Sequence, residues 1–362
     1  MRKLVIALFL ALPIGITAQM AEEIPFEASA PLTLPPGLNF GEGAGVAVNS
    51  QGHIFTYTRT GSPGNIERLR AAQLWEFAPD GSFIRELGQN LYSRAWAHAV
   101  RIDAEDNIWL VDNGSDLGVK LSPDGKVMNV FGRRRESISP GEKHPPGAPT
   151  PPARDGYFNE PTDVAFDPQG NAYFSDGYKN SRVAKYDKDG NWVKSWGELG
   201  SAPGQLQSPH GIQVDDQGRV YVADRSNNRI QVFDSDGNYL RQITWEDVQK
   251  QAPVPEGYTP NIAHFGILPD GSYNSLWPNT LCITPGPNQV LFSQDMFPGR
   301  IYKMSLEGEV LGYLGRDGQG LGELGWVHGI ACPNENEVWI SELLTWRIQK
   351  FLLSSEGQMS SQ

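Results

Sequence analysis

Three of the chain's six histidines stand at one register of an internal repeat, and histidine is the side chain most often used to hold a metal ion. Aligning the repeats on the first core-facing apolar residue of each leading strand gives Val46, Val100, Val164, Ile212, Leu281 and Ile330. Two residues before these positions lie Ala44, His98, Thr162, His210, Asn279 and His328. Histidine therefore falls in the second, fourth and sixth repeats only. A lone histidine at a strand start is commonly just a packed polar residue. Three of them on alternate repeats of a closed ring would instead converge from three sides on one point. Three imidazole ligands with a fourth position open form the donor set of a catalytic zinc site. Calcium or magnesium would call for carboxylates, and none occupies this register. Zinc is the expected cofactor.

Thirteen or fourteen residues after the aligned apolar position come Arg59 in the first repeat, Tyr178 in the third and Arg225 in the fourth. Successive strands of a meander alternate direction, so the start of the first strand and the end of the second share a face. These three side chains are therefore expected beside the histidines. Arginine holds a carboxylate with a two-pronged set of donors. A phenol beside a divalent cation can ionise well below its usual pKa of about 10. The set would suit a small-molecule or peptide substrate that carries a carboxylate and a hydroxyl. Plainer readings stay open: Arg225 could pair with Asp224, and Tyr178 could pack against a neighbouring repeat. Of the other histidines, His53 falls in a hairpin turn and His144 and His264 in inserts, so all three are expected to be solvent or loop residues.

The elements that must position these residues repeat six times. The clearest copies are "PTDVAFDPQGNAYFSDGYKNSRVAKYDKDGNWVKSWG" from residue 161 and "PHGIQVDDQGRVYVADRSNNRIQVFDSDGNYLRQI" from residue 209. Weaker copies begin near Gly45, His98, Asn279 and His328. The Asp, Asn and Gly clusters supply hairpin turns where φ must become positive. Copies of this size, about four short strands each, predict an all-β fold, a six-bladed β-propeller. The propeller is expected over residues 41–353, with inserts at 133–157 and 245–278 that project as loops, and a tail at 354–362. The segment 19–40 is expected to close the last blade, with an outer strand near Ile24 to Leu34. Asp112, Asp176, Asp224, Arg182, Arg229, Arg300 and Arg347 recur within the copies and read as turn and interblade pairing residues.

The N-terminus sets a compartment. A basic Met1-Arg2-Lys3, an apolar run to residue 16 and a small residue before Gln19 read as a signal peptide over residues 1–18, and thus as a secreted or periplasmic protein. With 42 acidic against 30 basic residues, the net charge of -12 disfavours nucleic acid and anionic membranes. The basic run Arg133-Arg134-Arg135 reads as a solvated loop. No later stretch is apolar enough to insert in a bilayer. Two cysteines, Cys282 and Cys332, exclude a disulfide scaffold or a cysteine-rich zinc module. They could bridge in an oxidising compartment. Their strand registers differ by one, however, which favours two buried thiols.

The repeats resemble NHL repeats, and their motifs are similar to those of the peptidyl-α-hydroxyglycine α-amidating lyase family. The resemblance runs over roughly residues 40 to 352 and is carried by "VAVNSQGHIFTYTR" (46–59), "AHAV" (97–100), "EPTDVAFDPQGNAYFSDGYKNSRV" (160–183), "SPHGIQV" with "VYVADRSNNRIQVF" (208–233) and "VHGI" (327–330). It implies a six-bladed propeller with His98, His210 and His328 as zinc ligands, Tyr178 as catalytic base, and Arg59 and Arg225 as substrate-binding arginines. It also implies cleavage of the C–N bond of a C-terminal α-hydroxyglycine to a peptide amide and glyoxylate. A structural calcium ion would use the backbone carbonyls of Val46 and Val100 and an aspartate after the third histidine, a place held here by Gly329. Two other classes fit the same pattern: an NHL propeller that binds a peptide or glycan without turnover, and a lactonase-like metal hydrolase, whose site would be built on carboxylates and asparagine.

Overall fold

Each copy of the repeat closes into a four-stranded antiparallel sheet, and the computed structural model contains six such sheets among the described residues, which are 20–59, 72–91, 94–132, 153–254, 277–295 and 298–354. The signal-peptide stretch, the basic run at 133–135, most of both inserts with His144 and His264, and the tail beyond residue 354 lie outside the described residues.

Local chemistry explains why the hairpins form. In the third sheet Asp167 Oδ1 accepts the backbone N–H groups of Gln169 and Asn171, and its other oxygen accepts Tyr173 Oη at 2.8 Å. Asp215 repeats the arrangement with Gln217, Arg219 and Tyr221 in the fourth. Gly170 and Gly218 finish these turns at φ 83° and 78°, which costs a residue without Cβ little.

The inner strands are Glu42–Val48, Ala97–Ile102, Asp163–Phe166, Pro209–Val214, Leu281–Ile283 and Val327–Asn334. Each touches the inner strand before and after it, and the sixth returns to the first, so the blades close a ring around a channel. There is no single core. Six hydrophobic clusters occur among the described residues, one for each interface between neighbouring blades. Between blades two and three, for instance, Trp109, Val111 and Phe131 pack on Val164, Phe174 and Tyr186. Burying an aromatic side chain of this size stabilises by about 1.5–3 kcal/mol, and no blade could achieve it alone. The sixth blade takes its outer strand from the N-terminus: Phe26–Ser29 pairs antiparallel with Ile348–Leu353.

The repeated acid–arginine pairs act within blades. Asp176–Arg182 (2.9 Å), Asp224–Arg229 (2.8 Å) and Glu342–Arg347 (2.5 Å) join the second and third strands. The spare guanidinium donors reach carbonyls of the segment arriving from the previous blade, such as Ala202 and Gln205 for Arg229. Arg300 instead lies over the Tyr313 ring and donates to the carbonyl of Ala252. Asp112 has no arginine at the equivalent place and accepts the backbone N–H groups of Trp96 and Ser115.

One expectation is corrected. Cys282 and Cys332 form a disulfide between the inner strands of blades five and six. The two inner strands face each other across the interface of neighbouring blades, so the residue after the aligned Leu281 meets the residue two after the aligned Ile330, and a register difference of one is what the bridge requires. His53 lies in its hairpin turn, half-buried, with its Nδ1 2.7 Å from Glu76.

Candidate metal centre

The strand that carries each histidine departs from regular pairing where the histidine sits. Ala97 pairs with Asp112 and Ala99 with Val111, which leaves His98 as the extra residue of a bulge. His328 is skipped in the same way between Val327 and Gly329, and the shift between Pro209 and Ile212 contains His210. A β-bulge re-aims a side chain, here toward the axis. The residue that follows must be small: a Cβ on Gly211 would lie 2.9 Å from the Leu281 nitrogen, and one on Gly329 2.5 Å from Ser341 Oγ.

Each imidazole is oriented by the next blade. His98 Nδ1 donates to the Thr162 carbonyl (2.6 Å), His210 Nδ1 to that of Asn279 (2.9 Å) and His328 Nδ1 to that of Ala44 (2.7 Å). The acceptors are the residues at the histidine register of the third, fifth and first repeats, so histidine and carbonyl alternate around the hub. With Nδ1 protonated, Nε2 keeps its lone pair. One ring nitrogen from each histidine lies within 4.8 Å of the others, and all three residues are buried, so the cluster could hold a metal ion.

Burial holds the three imidazoles neutral. It lowers His98 well below the usual histidine range, helped by the charges of His328 and Arg59. His210 is lowered likewise, first by burial and then by Arg225. His328 is pushed down to about 3 by burial with Arg59 nearby. Neutral imidazole is the ligand form, so the site is prepared for a cation without proton release.

Tyr178 reaches this centre from the loop after the second strand of blade three. Its Oη lies 3.3 Å from His98 Nε2 and 3.1 Å from His210 Nε2, and Arg225 Nη1 donates to it at 3.4 Å. The Arg225 guanidinium also covers the tyrosine ring at 5.0 Å and donates to Asn279 Oδ1, while its Nε is buried without a partner. Arg59 arrives from the other side, more heavily engaged. Its Nε donates to the Ala97 carbonyl, its Nη1 meets Glu42 at 3.2 Å, and its plane lies 4.5 Å over the Trp96 ring. Burial lowers the Arg59 guanidinium, and Glu42 and Tyr178 counter this. The structure thus gathers His98, His210, His328, Tyr178, Arg59 and Arg225 around one point.

Three neighbours were not legible as site residues. Glu42 and Trp96 hold Arg59, and no periodicity marks them. Asn279 is visible in the register, but the two hydrogen bonds it accepts, from His210 on its carbonyl and from Arg225 on its Oδ1, are not. Val46 and Val100 line the channel beneath the histidines, yet the set does not suit calcium. Gly329 cannot carry an aspartate without meeting Ser341 and Gly45, and the guanidinium of Arg101 already lies at this level.

The NHL repeat family model matches residues 206–233, which are the first three strands of blade four. The protein is a six-bladed β-propeller whose fourth blade matches the NHL repeat, with a three-histidine cluster at its hub. Its homologues include peptidyl-glycine alpha-amidating monooxygenase A of Xenopus laevis, 32% identical over 212 residues, which are 56% of this chain and 20% of that protein. They also include the "Probable peptidyl-alpha-hydroxyglycine alpha-amidating lyase pgal-1" of Caenorhabditis elegans, 28% identical over 217 residues, 55% of this chain and 57% of that one. The matched part thus spans a fifth of the frog protein and just over half of the nematode one. Among solved structures, virginiamycin B lyase from Staphylococcus aureus shares the fold with a TM-score of 0.55 at 13% identity, covering 92% of this chain and 100% of that one.

Proposed function

We propose that the protein is an exported, zinc-dependent lyase that cleaves the C–N bond of a peptidyl-α-hydroxyglycine, or a similar hemiaminal, to an amide and glyoxylate. The observation that carries this reading is Tyr178 Oη, which touches two of the three converging imidazoles and a guanidinium at once. A phenol needed only for packing would not be held at that junction.

The donor set supports zinc: three neutral imidazole nitrogens, each with its second nitrogen fixed by a carbonyl, and no carboxylate in the cluster. Bound there, zinc would supply Lewis-acid activation of the substrate's hydroxyl. Tyr178 Oη takes the hydroxyl proton as base. The C–N bond then breaks while the former hydroxyl carbon becomes the aldehyde of glyoxylate. The departing amide nitrogen gains one proton, so the proton lost by oxygen equals the one gained by nitrogen and the reaction needs no co-reactant. Arg225 binds the substrate carboxylate, a role that its unpartnered buried Nε supports. Arg59, fixed by Glu42, adds positive charge where the substrate brings negative charge.

The similarity to amidating lyases supports the reaction class. Export is supported by the basic-then-apolar start of the chain and by the Cys282–Cys332 bridge, since disulfides persist in oxidising compartments. Among the described residues no helix is long and apolar enough to cross a membrane. The test is glyoxylate release by zinc-loaded protein from a peptide ending in α-hydroxyglycine. Stoichiometric glyoxylate and peptide amide are expected. A zinc-loaded protein that leaves the peptide intact would contradict the reading.

A further inference from the structure

Directly beneath the histidines the channel is crossed by one ion pair. Arg101 follows the aligned Val100 of blade two. Its Nε and Nη2 donate to the two carboxylate oxygens of Asp163 in blade three, at 2.9 and 2.6 Å. Its Nη1 also donates to the Ile330 carbonyl of blade six at 2.9 Å, and its Nη2 to the Leu281 carbonyl of blade five at 3.3 Å. Asp163 in turn accepts the Ile212 N–H of blade four at 3.2 Å. One guanidinium–carboxylate pair therefore joins five of the six inner strands. Its side chains are only 12% and 4% exposed, so each charge depends on the other.

The partners are significant by position. Ile212 and Ile330 stand two residues after His210 and His328, and Arg101 three after His98. All three histidine-bearing strands are thus fixed by the same pair, one short step below the ligands. Inward-facing carbonyls with a carboxylate among them are also what a hard divalent cation would seek. Here a covalently attached cation fills that place. Arg101 lines both the cavity under the histidines and the wider one at the opposite end of the channel, which it divides.

We infer that Arg101, with Asp163, is a positioning residue: a resident cation that does the structural work of a channel metal ion and sets the spacing of the three histidines. The inference rests on the metal-site reading for ligand spacing, but not on any particular substrate or on turnover.

The test uses the full chain, with cobalt(II) as spectroscopic probe and calcium as competing channel ion. Wild-type protein is expected to melt at the same temperature with excess calcium and with a calcium chelator. Arg101→Ser, which leaves Asp163 and the carbonyls around an opened axis, should bind cobalt about tenfold to a hundredfold more weakly, with a changed visible d–d spectrum. Calcium should raise its melting temperature, and Arg101→Lys should recover part of the cobalt affinity. If Arg101→Ser does not fold, Asp163→Asn carries the cobalt measurement, with the same loss expected. The inference is overturned by a calcium-dependent melting temperature in the wild type, by unaltered cobalt affinity and spectrum in the variants, or by an Arg101→Ser protein indifferent to calcium. None of these readouts involves glyoxylate, so a failed lyase assay and a failed positioning role are separable.

Discussion

Tyr178 Oη lies 3.1 Å from His210 Nε2, the ring nitrogen that faces away from the backbone carbonyl holding that imidazole. This contact joins a titratable oxygen on one blade to a metal-competent nitrogen on the next. It makes the phenol the first group to question. Tyr178→Phe should keep the metal and the melting temperature while kcat falls about a hundredfold to ten-thousandfold, the range usual for losing a general base. Equal glyoxylate release by the variant would remove Tyr178 from the chemistry.

Arg225 touches Tyr178 Oη and Asn279 and has one buried donor to spare. Replacing it by methionine should lower kcat/KM about tenfold to a hundredfold, the loss expected for a hydrogen bond to a charged group. Discrimination against a substrate whose carboxylate is blocked as an amide should shrink at the same time. A variant that still rejects the blocked substrate would place carboxylate recognition elsewhere, Arg59 being the first alternative.

The depressed histidines also predict how metal-stripped protein responds to acid. An imidazole lowered by folding binds fewer protons in the folded state than in the unfolded one, where its pKa is near 6.5. Its contribution is therefore fully present above 6.5 and is lost as the pH falls toward the folded values, about 3 for His328. Denaturant melts of the stripped protein should show stability declining from pH 7 to pH 4. A replacement of all three histidines by glutamine should flatten that slope. An unchanged slope would mean that carboxylates alone govern the acid response.

Much of this site is legible in the residues alone, because a repeat turns sequence distance into angle around an axis. Once Val100, Ile212 and Ile330 are aligned, His98, His210 and His328 share a level and a direction. The bulges that aim these side chains leave no mark in composition or periodicity. Arg101 was equally hidden: an arginine one place past an aligned valine looks like any polar residue on a strand, and only closure of the ring brings Asp163, Leu281 and Ile330 around it. Cys332 shows the opposite hazard. Its register differs by one from that of Cys282, and only the closed ring shows that such opposite-facing positions of neighbouring blades meet across their shared interface.

That disulfide closes a loop with a sequence separation of 50 between two inner strands. Replacing both cysteines by serine should cost about 2–4 kcal/mol and lower the melting temperature without disturbing metal content. Metal loss together with the bridge would instead mean that blades five and six need it to present His328.

The central claim concerns one ion and three nitrogens. X-ray absorption at the zinc edge, on protein purified with one zinc per chain, should show three imidazole nitrogens at about 2.0–2.1 Å and one further oxygen ligand, with one imidazole missing in His210→Ala. Zinc far below one per chain after equilibration, or a shell unchanged by His210→Ala, would contradict the account.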